Sequence, residues 1–271
     1  MQGGIILRDL RRDRSRVIRL TILSTAAYIF MVTMNFLANY LPLNDITTGA
    51  ISDRYANPFT PAGFTFSIWG LIYLLLIGFT IYQALPQYRE TSYVRAVGLL
   101  FALTAVFNVL WLFVWHYLRM GLAMVIILLL LITLVIIYHK IYRLKDKEGF
   151  FDWLFVRLPF SLYVAWLCVA TIANFNFFLA HIGWLGTEGF GAVLFTMLMI
   201  LIGTLIALYV FFERRDFAFG LVFIWAFIGI GVEQTGESIL VTVTAWLSAA
   251  AILFFMGWIS AQSRKVTGKD R

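Results

Sequence analysis

GLAMVIILLLLITLVIIYHKIY, residues 121–142, decides the class of this chain. No Asp, Glu, Lys or Arg occurs in it before Lys140, and a run of this length crosses about 30 Å of hydrocarbon as one helix. Comparable apolar runs extend from Val17 to Leu41, Ala62 to Leu85, Val94 to Tyr117, Leu158 to His181, Phe190 to Phe212, Phe217 to Val232 and Ile239 to Ser260. The run from Phe217 is marginally short for a span. The expected fold is all-α, a polytopic membrane helix bundle of about eight transmembrane helices.

Composition agrees. Of 271 residues, 62% are hydrophobic and 13% charged, with mean hydropathy +0.88. Soluble domains carry about 25% charged residues, so this chain lacks the polar groups to cover a water-facing surface, and the lipid bilayer is its expected partner. The net charge of +7 does not point to nucleic acid, because the basic residues lie between apolar runs rather than on one solvated face. Cys168, the single cysteine, lies inside an apolar run; it reads as a structural thiol, and no disulfide framework can form.

The first run follows Arg8, Arg11, Arg12, Arg14, Arg16 and Arg19, as a signal peptide's apolar core would follow its charged start. It is too long for that and lacks a small-residue cleavage pattern, so a retained first helix is expected. Sorting Lys and Arg by connection puts 19 on one side of the membrane and 2, Arg54 and Arg119, on the other. The positive-inside rule then places both termini in the cytoplasm, and an even helix count agrees. Arginine-rich ends and compact loops suit a bacterial inner (plasma) membrane. The connection with Lys145, Asp146, Lys147 and Glu148 reads as a solvated loop drawn to anionic lipid.

One outer connection is long. Pro42 to Pro61 carries Asn44, Asp45, Thr47, Thr48, Gly49, Ser52 and Asp53, and loops of that length are lids, binding segments or plain solvated linkers. Beneath it, Asn35, Asn39, Asn108, Asn174 and Asn176 are expected to face the bundle interior, since amides in hydrocarbon need partners. Asn108, Trp111 and Trp115 share one helical face, as do Tyr163, Trp166, Ala170 and Asn174. Phe66, Trp69 and Tyr73 line the start of the second helix. Such stripes either pack helices or form a pocket for a flat, largely apolar ligand.

His116, His139 and His181 stand at helix ends without metal-ligand spacing; interfacial hydrogen bonding is the main reading, and a haem iron at His116 or His181 the other. Glu233 and Glu237 bracket a turn, where either they stay at the interface or Glu233 dips inward as transport carboxylates do. No Walker motif, Gly-rich nucleotide loop, HExxH or G-x-S-x-G occurs, so no enzyme class is supported.

The aromatic stripes resemble the TspO/MBR family, the tryptophan-rich sensory proteins that include the mitochondrial translocator protein. Three places carry the resemblance: the turn Pro58-Phe59-Thr60-Pro61-Ala62-Gly63 leading to Trp69 and Tyr73; Asn108 and Trp111; and Tyr163, Trp166, Ala170 and Asn174. The departures are Phe59 and Phe64 where the family often has tryptophan, a turn one residue shorter before Trp69, and Leu162 in place of a usual proline.

The resemblance implies a five-helix bundle over residues 17–182; the residues themselves add a basic N-terminus at 1–16, three additional helices over 183–260 without a counterpart in that bundle, and a basic tail at 261–271. The three added helices are either an appended subdomain or a homodimer surface. The resemblance further implies a sensor or carrier for a porphyrin, tetrapyrrole, haem or sterol-like ligand. The motif positions put Trp69, Tyr73, Asn108, Trp111, Trp166, Ala170 and Asn174 at the site, the reading of the residues adds Asn39 and Trp115, and no catalytic or metal residue is expected. Porphyrin-degrading activity enters only through the family. The alternative reading is a secondary transporter or permease-like subunit for another substrate.

Overall fold

The computed structural model describes residues 2–41, 43–54, 57–89, 91–144, 149–184 and 189–268, with side chains between residues 14 and 262 of those ranges. The reading of Lys145 to Glu148 falls outside them. Eight helices organise the chain: α1 (Gln2–Tyr40), α2 (Ile68–Ala84), α3 (Ser92–His116), α4 (Met120–Arg143), α5 (Leu158–His181), α6 (Phe190–Arg214), α7 (Phe217–Glu233) and α8 (Ile239–Gly268). The described residues contain no strand. Among the described residues seven spans are long and apolar enough to cross a membrane, and the 17-residue α7 is a shorter apolar helix. The molecule is an all-α polytopic membrane protein.

The first five helices close into a ring. α1 packs on α2 and α3, α3 on α4, α4 on α5, and α5 returns to α2. At the ring's centre Phe79 of α2, Phe101 of α3 and Phe160 of α5 meet edge to face, with centroids 5.0 to 5.8 Å apart. Such edge contacts set the positive rim of one ring against the π face of the next. Just before α5 the chain makes a π-helical turn, Trp153–Arg157, and Pro159 sits in the first turn of α5, where its missing N–H costs no hydrogen bond.

α6, α7 and α8 pack on one another, and α7 lies along α5. A 17-residue helix rises only about 26 Å. α7 nevertheless fits because Phe219, Phe223 and Phe227 are buried against neighbouring helices, so protein rather than lipid sets its length.

Two contacts fasten α7 to the ring, one at each end. At its start, Asp216 caps the helix by accepting from the Phe219 N–H at 3.1 Å. The carboxylate's other oxygen accepts from Tyr138 (2.8 Å) and Tyr142 (2.8 Å) of α4 and from Ser161 (2.6 Å) of α5. Asp216 is the only buried carboxylate among the described residues. The guanidinium of Arg157 lies 4.7 Å, and that of Arg214 5.5 Å, from the centre of the Tyr142 ring. At its far end, the Gly229 carbonyl accepts from the Ala62 N–H (3.1 Å), and Trp225 donates from Nε1 to the Thr65 carbonyl (2.9 Å). A Cβ on Gly229 would collide with the Thr65 side chain, so only glycine admits this approach.

Replacing Asp216 leaves the buried hydroxyls of Tyr138 and Ser161 and the half-buried one of Tyr142 without their acceptor, a loss of about 2 kcal/mol. Asp216→Ala is expected to lower the apparent Tm in detergent by about 5 °C, and Asp216→Asn by less, because one carbonyl still accepts. Equal melting of wild type and Asp216→Ala would remove the contact's structural role.

Candidate functional site

The cluster is built on the end of the ring that carries the 42–61 connection. Asn35 of α1 donates from Nδ2 to the Met31 carbonyl (2.9 Å) and to Asn108 Oδ1 (2.8 Å). Asn108 of α3 in turn donates to the Tyr163 hydroxyl of α5 at 3.3 Å. An amide in hydrocarbon has no water to fall back on, so this chain of bonds fixes the depth of three helices relative to one another. A second cross-link runs from Trp111 Nε1 to Asn174 Oδ1 at 3.0 Å, and Asn174 Nδ2 donates back to the Ala170 carbonyl at 2.9 Å.

Around this polar thread the aromatic rings form two groups. Between α2 and α5, Trp69 stacks on Tyr73 (centroids 5.5 Å apart) and meets Tyr163 (5.9 Å) and Trp166 (6.3 Å) edge to face. Phe66 also meets Trp166 edge to face, at 6.2 Å. Between α3 and α5, Trp111 stacks on Trp115 at 5.4 Å, and Trp115 meets Phe177 at 5.3 Å. Tyr163 joins the groups, touching Trp69 with its ring and Asn108 with its hydroxyl. Trp166 is 2% exposed, and its Nε1 has no hydrogen-bond partner. An orphaned indole N–H in a buried site is uncommon enough to need a reason.

The first loop is docked over this end. Its short helix Thr48–Arg54 buries Ile51 completely against a small core of Trp115, Met120, Ala123 and Phe177. Trp115 Nε1 donates to the Thr48 carbonyl (3.3 Å), the Thr48 hydroxyl sits 3.3 Å from His116 Nε2, and Asn44 Nδ2 donates to the His116 carbonyl (3.0 Å). His116 is thereby fully buried as an anchor of the loop, with its Nδ1 2.8 Å from the Leu112 carbonyl.

Most of the residues expected at the site from sequence therefore lie together, with one exception in placement. Trp69, Tyr73 and Trp166 form the first group, Trp111, Trp115 and Asn174 the second, and Asn108 links to both helices. Ala170 stands half-buried on α5 between Trp166 and Asn174. Asn39 does not face the interior. It is exposed, donating to the Asn35 carbonyl (3.0 Å) and accepting from the Thr48 N–H (3.4 Å), because one turn beyond Asn35 the nearest partner is the loop rather than a helix. Asn176 and Asn174 are buried as expected. Glu233 and Glu237 are exposed at the turn after α7, and Glu233 does not dip inward. Sequence reasoning missed the parts of Thr48, Asn44 and Ile51 in holding the loop. Among the described residues no group of three His, Cys, Asp or Glu is placed to hold a metal.

A ring of five apolar helices thus carries an aromatic and amide cluster under a docked loop, the architecture of a polytopic helical membrane protein. The sequence model of the family described as TSPO-like protein matches residues 21–258, and the chain belongs to that family. The match runs through α6, α7 and most of α8. No curated protein and no solved structure matches the chain.

Ile51 is the apolar anchor of the loop, and a carboxylate there costs several kcal/mol when buried. Ile51→Asp is expected to raise amide exchange across Thr48–Arg54 at least about tenfold, the factor that about 1.4 kcal/mol supplies. Unchanged exchange would mean that the loop is held by its polar bonds alone.

Proposed function

We propose that this chain is a TspO-like sensor or carrier that binds a flat, largely apolar ligand, a porphyrin or other tetrapyrrole or a sterol-like molecule, among these aromatic rings. The observation that carries the reading is Trp166, buried among Phe66 and Trp69 with its N–H unpartnered. A ligand with a carbonyl or carboxylate at its rim would accept that N–H while its ring faces stack on the indoles. Trp69, Tyr73, Trp111, Trp115 and Trp166 supply the stacking surfaces, Asn108 and Asn174 orient a polar edge, and Asn39 acts from the loop side. Ala170, the small residue between Trp166 and Asn174 on α5, would lie against the ligand's edge.

In this reading the segment 42–61 is a lid that opens to admit the ligand and closes by returning Ile51 to its socket. Residues 17–182 form the binding bundle, and residues 183–260 serve as an appended unit or dimer surface. The basic ends, 1–16 and 261–271, lie in the cytoplasm of a bacterial cell, as the distribution of Lys and Arg favours. The chain acts by binding and conveying its ligand rather than by catalysis.

Titration of the detergent-purified protein with protoporphyrin, followed at the Soret band, tests this reading. Saturable binding is expected, weakened about tenfold or more in Trp166→Ala, which loses both the aromatic face and the N–H. Trp166→Phe keeps a ring without the donor and is expected to fall between the two. Nonsaturable binding, or equal affinity in all three proteins, would overturn the assignment.

A further inference from the structure

An open groove of about 680 Å³ runs between α6 and α8 at the end where most basic connections gather, away from the aromatic site. Its volume lies in the range of small-molecule sites. The walls are apolar and aromatic: Leu205 and Tyr209 on α6 face Trp258 on α8, and all three are well exposed. Only at the mouth does polarity enter, with Arg215 and Gln262.

Arg215 is placed by the backbone. It ends α6 in the left-handed conformation (φ 55°), which turns the chain sharply into α7 and leaves its side chain exposed at the groove. Its guanidinium rests near the rings of Phe211 and Phe212, at 5.9 and 6.0 Å. No carboxylate of the described residues pairs with it, although Glu213 is close in sequence and Asp216 follows directly. Asp216 is turned inward and saturated by Tyr138, Tyr142, Ser161 and the Phe219 N–H. A cation with no carboxylate counter-ion among the described residues thus stands at the mouth of an apolar trough.

That division of chemistry matches one molecule, a diacyl glycerophospholipid with an anionic head group. We propose that the groove between α6 and α8 binds one such lipid, its acyl chain lying along Leu205, Tyr209 and Trp258 and its phosphate held by Arg215 with Gln262 donating beside it. Charge complementarity selects the occupant. A zwitterionic lipid brings its own cation to the phosphate, whereas an anionic head group leaves net negative charge for Arg215, and basic sites between helices at this leaflet recognise such head groups. Tyr209 and Trp258 suit the same position, since amphipathic rings settle at head-group level. The site is independent of the aromatic cluster, so the lipid and the proposed apolar ligand do not compete.

Native mass spectrometry of the full chain, released from micelles supplied with equal phosphatidylglycerol and phosphatidylcholine, tests the proposal. One retained phosphatidylglycerol is expected, favoured over phosphatidylcholine by about fivefold, the factor one arginine provides at a membrane surface. Arg215→Gln is expected to abolish the preference and Arg215→Lys to keep most of it. Trp258→Ala should lower retention of both lipids alike. Equal retention of the two lipids by wild type, an unaltered preference in Arg215→Gln, or a dimer whose formation excludes lipid would each overturn it. Arg215 and Trp258 are exposed and half-exposed respectively, so the variants keep the bundle, and wild-type melting temperatures serve as the control.

Discussion

Asn108 ties α3 to α1 and α5, and the placement of the aromatic cluster depends on its two hydrogen bonds. It accepts from Asn35 on α1 and donates to Tyr163 on α5, while its own helix α3 supplies Trp111 and Trp115 one and two turns further on. In hydrocarbon the alternative to these bonds is an unpaired amide, so sliding any of the three helices by one turn is disfavoured. With that depth fixed, Trp111 meets Asn174, Tyr163 meets Trp69, and Trp166 meets both Trp69 and Phe66. The polar thread orders rings that apolar packing alone would leave free to shift.

α7 extends that order to the entrance of the site. Its far end holds the backbone at Ala62 and Thr65, immediately before Phe66 and Trp69, and its near end is tied through Asp216 to α4 and α5. The last three helices are thus joined to the ring through both ends of α7, and the family match, residues 21–258, covers both parts. The short α7 packs Phe219, Phe223 and Phe227 on its neighbours and exposes Leu221 and Ile228, and a span short of the hydrocarbon thickness is accommodated at modest cost.

Much of this was legible in the sequence because hydrocarbon imposes local, periodic demands. The apolar runs mark the helices, the shortness of Phe217 to Val232 reappears as the 17-residue α7, and the three-and-four spacing of Tyr163, Trp166, Ala170 and Asn174 places them on one face. What escaped were contacts between distant segments. The docking of Thr48 on His116, the approach of Thr65 to Gly229 and the convergence on Asp216 leave no periodic trace. Two cues for the last were present: Asp before an apolar run is an N-cap signal, and Tyr138 and Tyr142 share a helical face. Asn39 was misplaced because its spacing from Asn35 is that of an inward face, while its position at the end of α1 gives it to the loop.

Photolabelling with a diazirine-bearing sterol, mapped by peptide mass spectrometry in the presence and absence of protoporphyrin, locates the ligand most directly. Labels within residues 66–73 and 163–174 that protoporphyrin suppresses are the expected result. Labels confined to the lipid-facing surfaces of the bundle, or insensitive to protoporphyrin, would contradict a site among the rings that Asn108 sets in place.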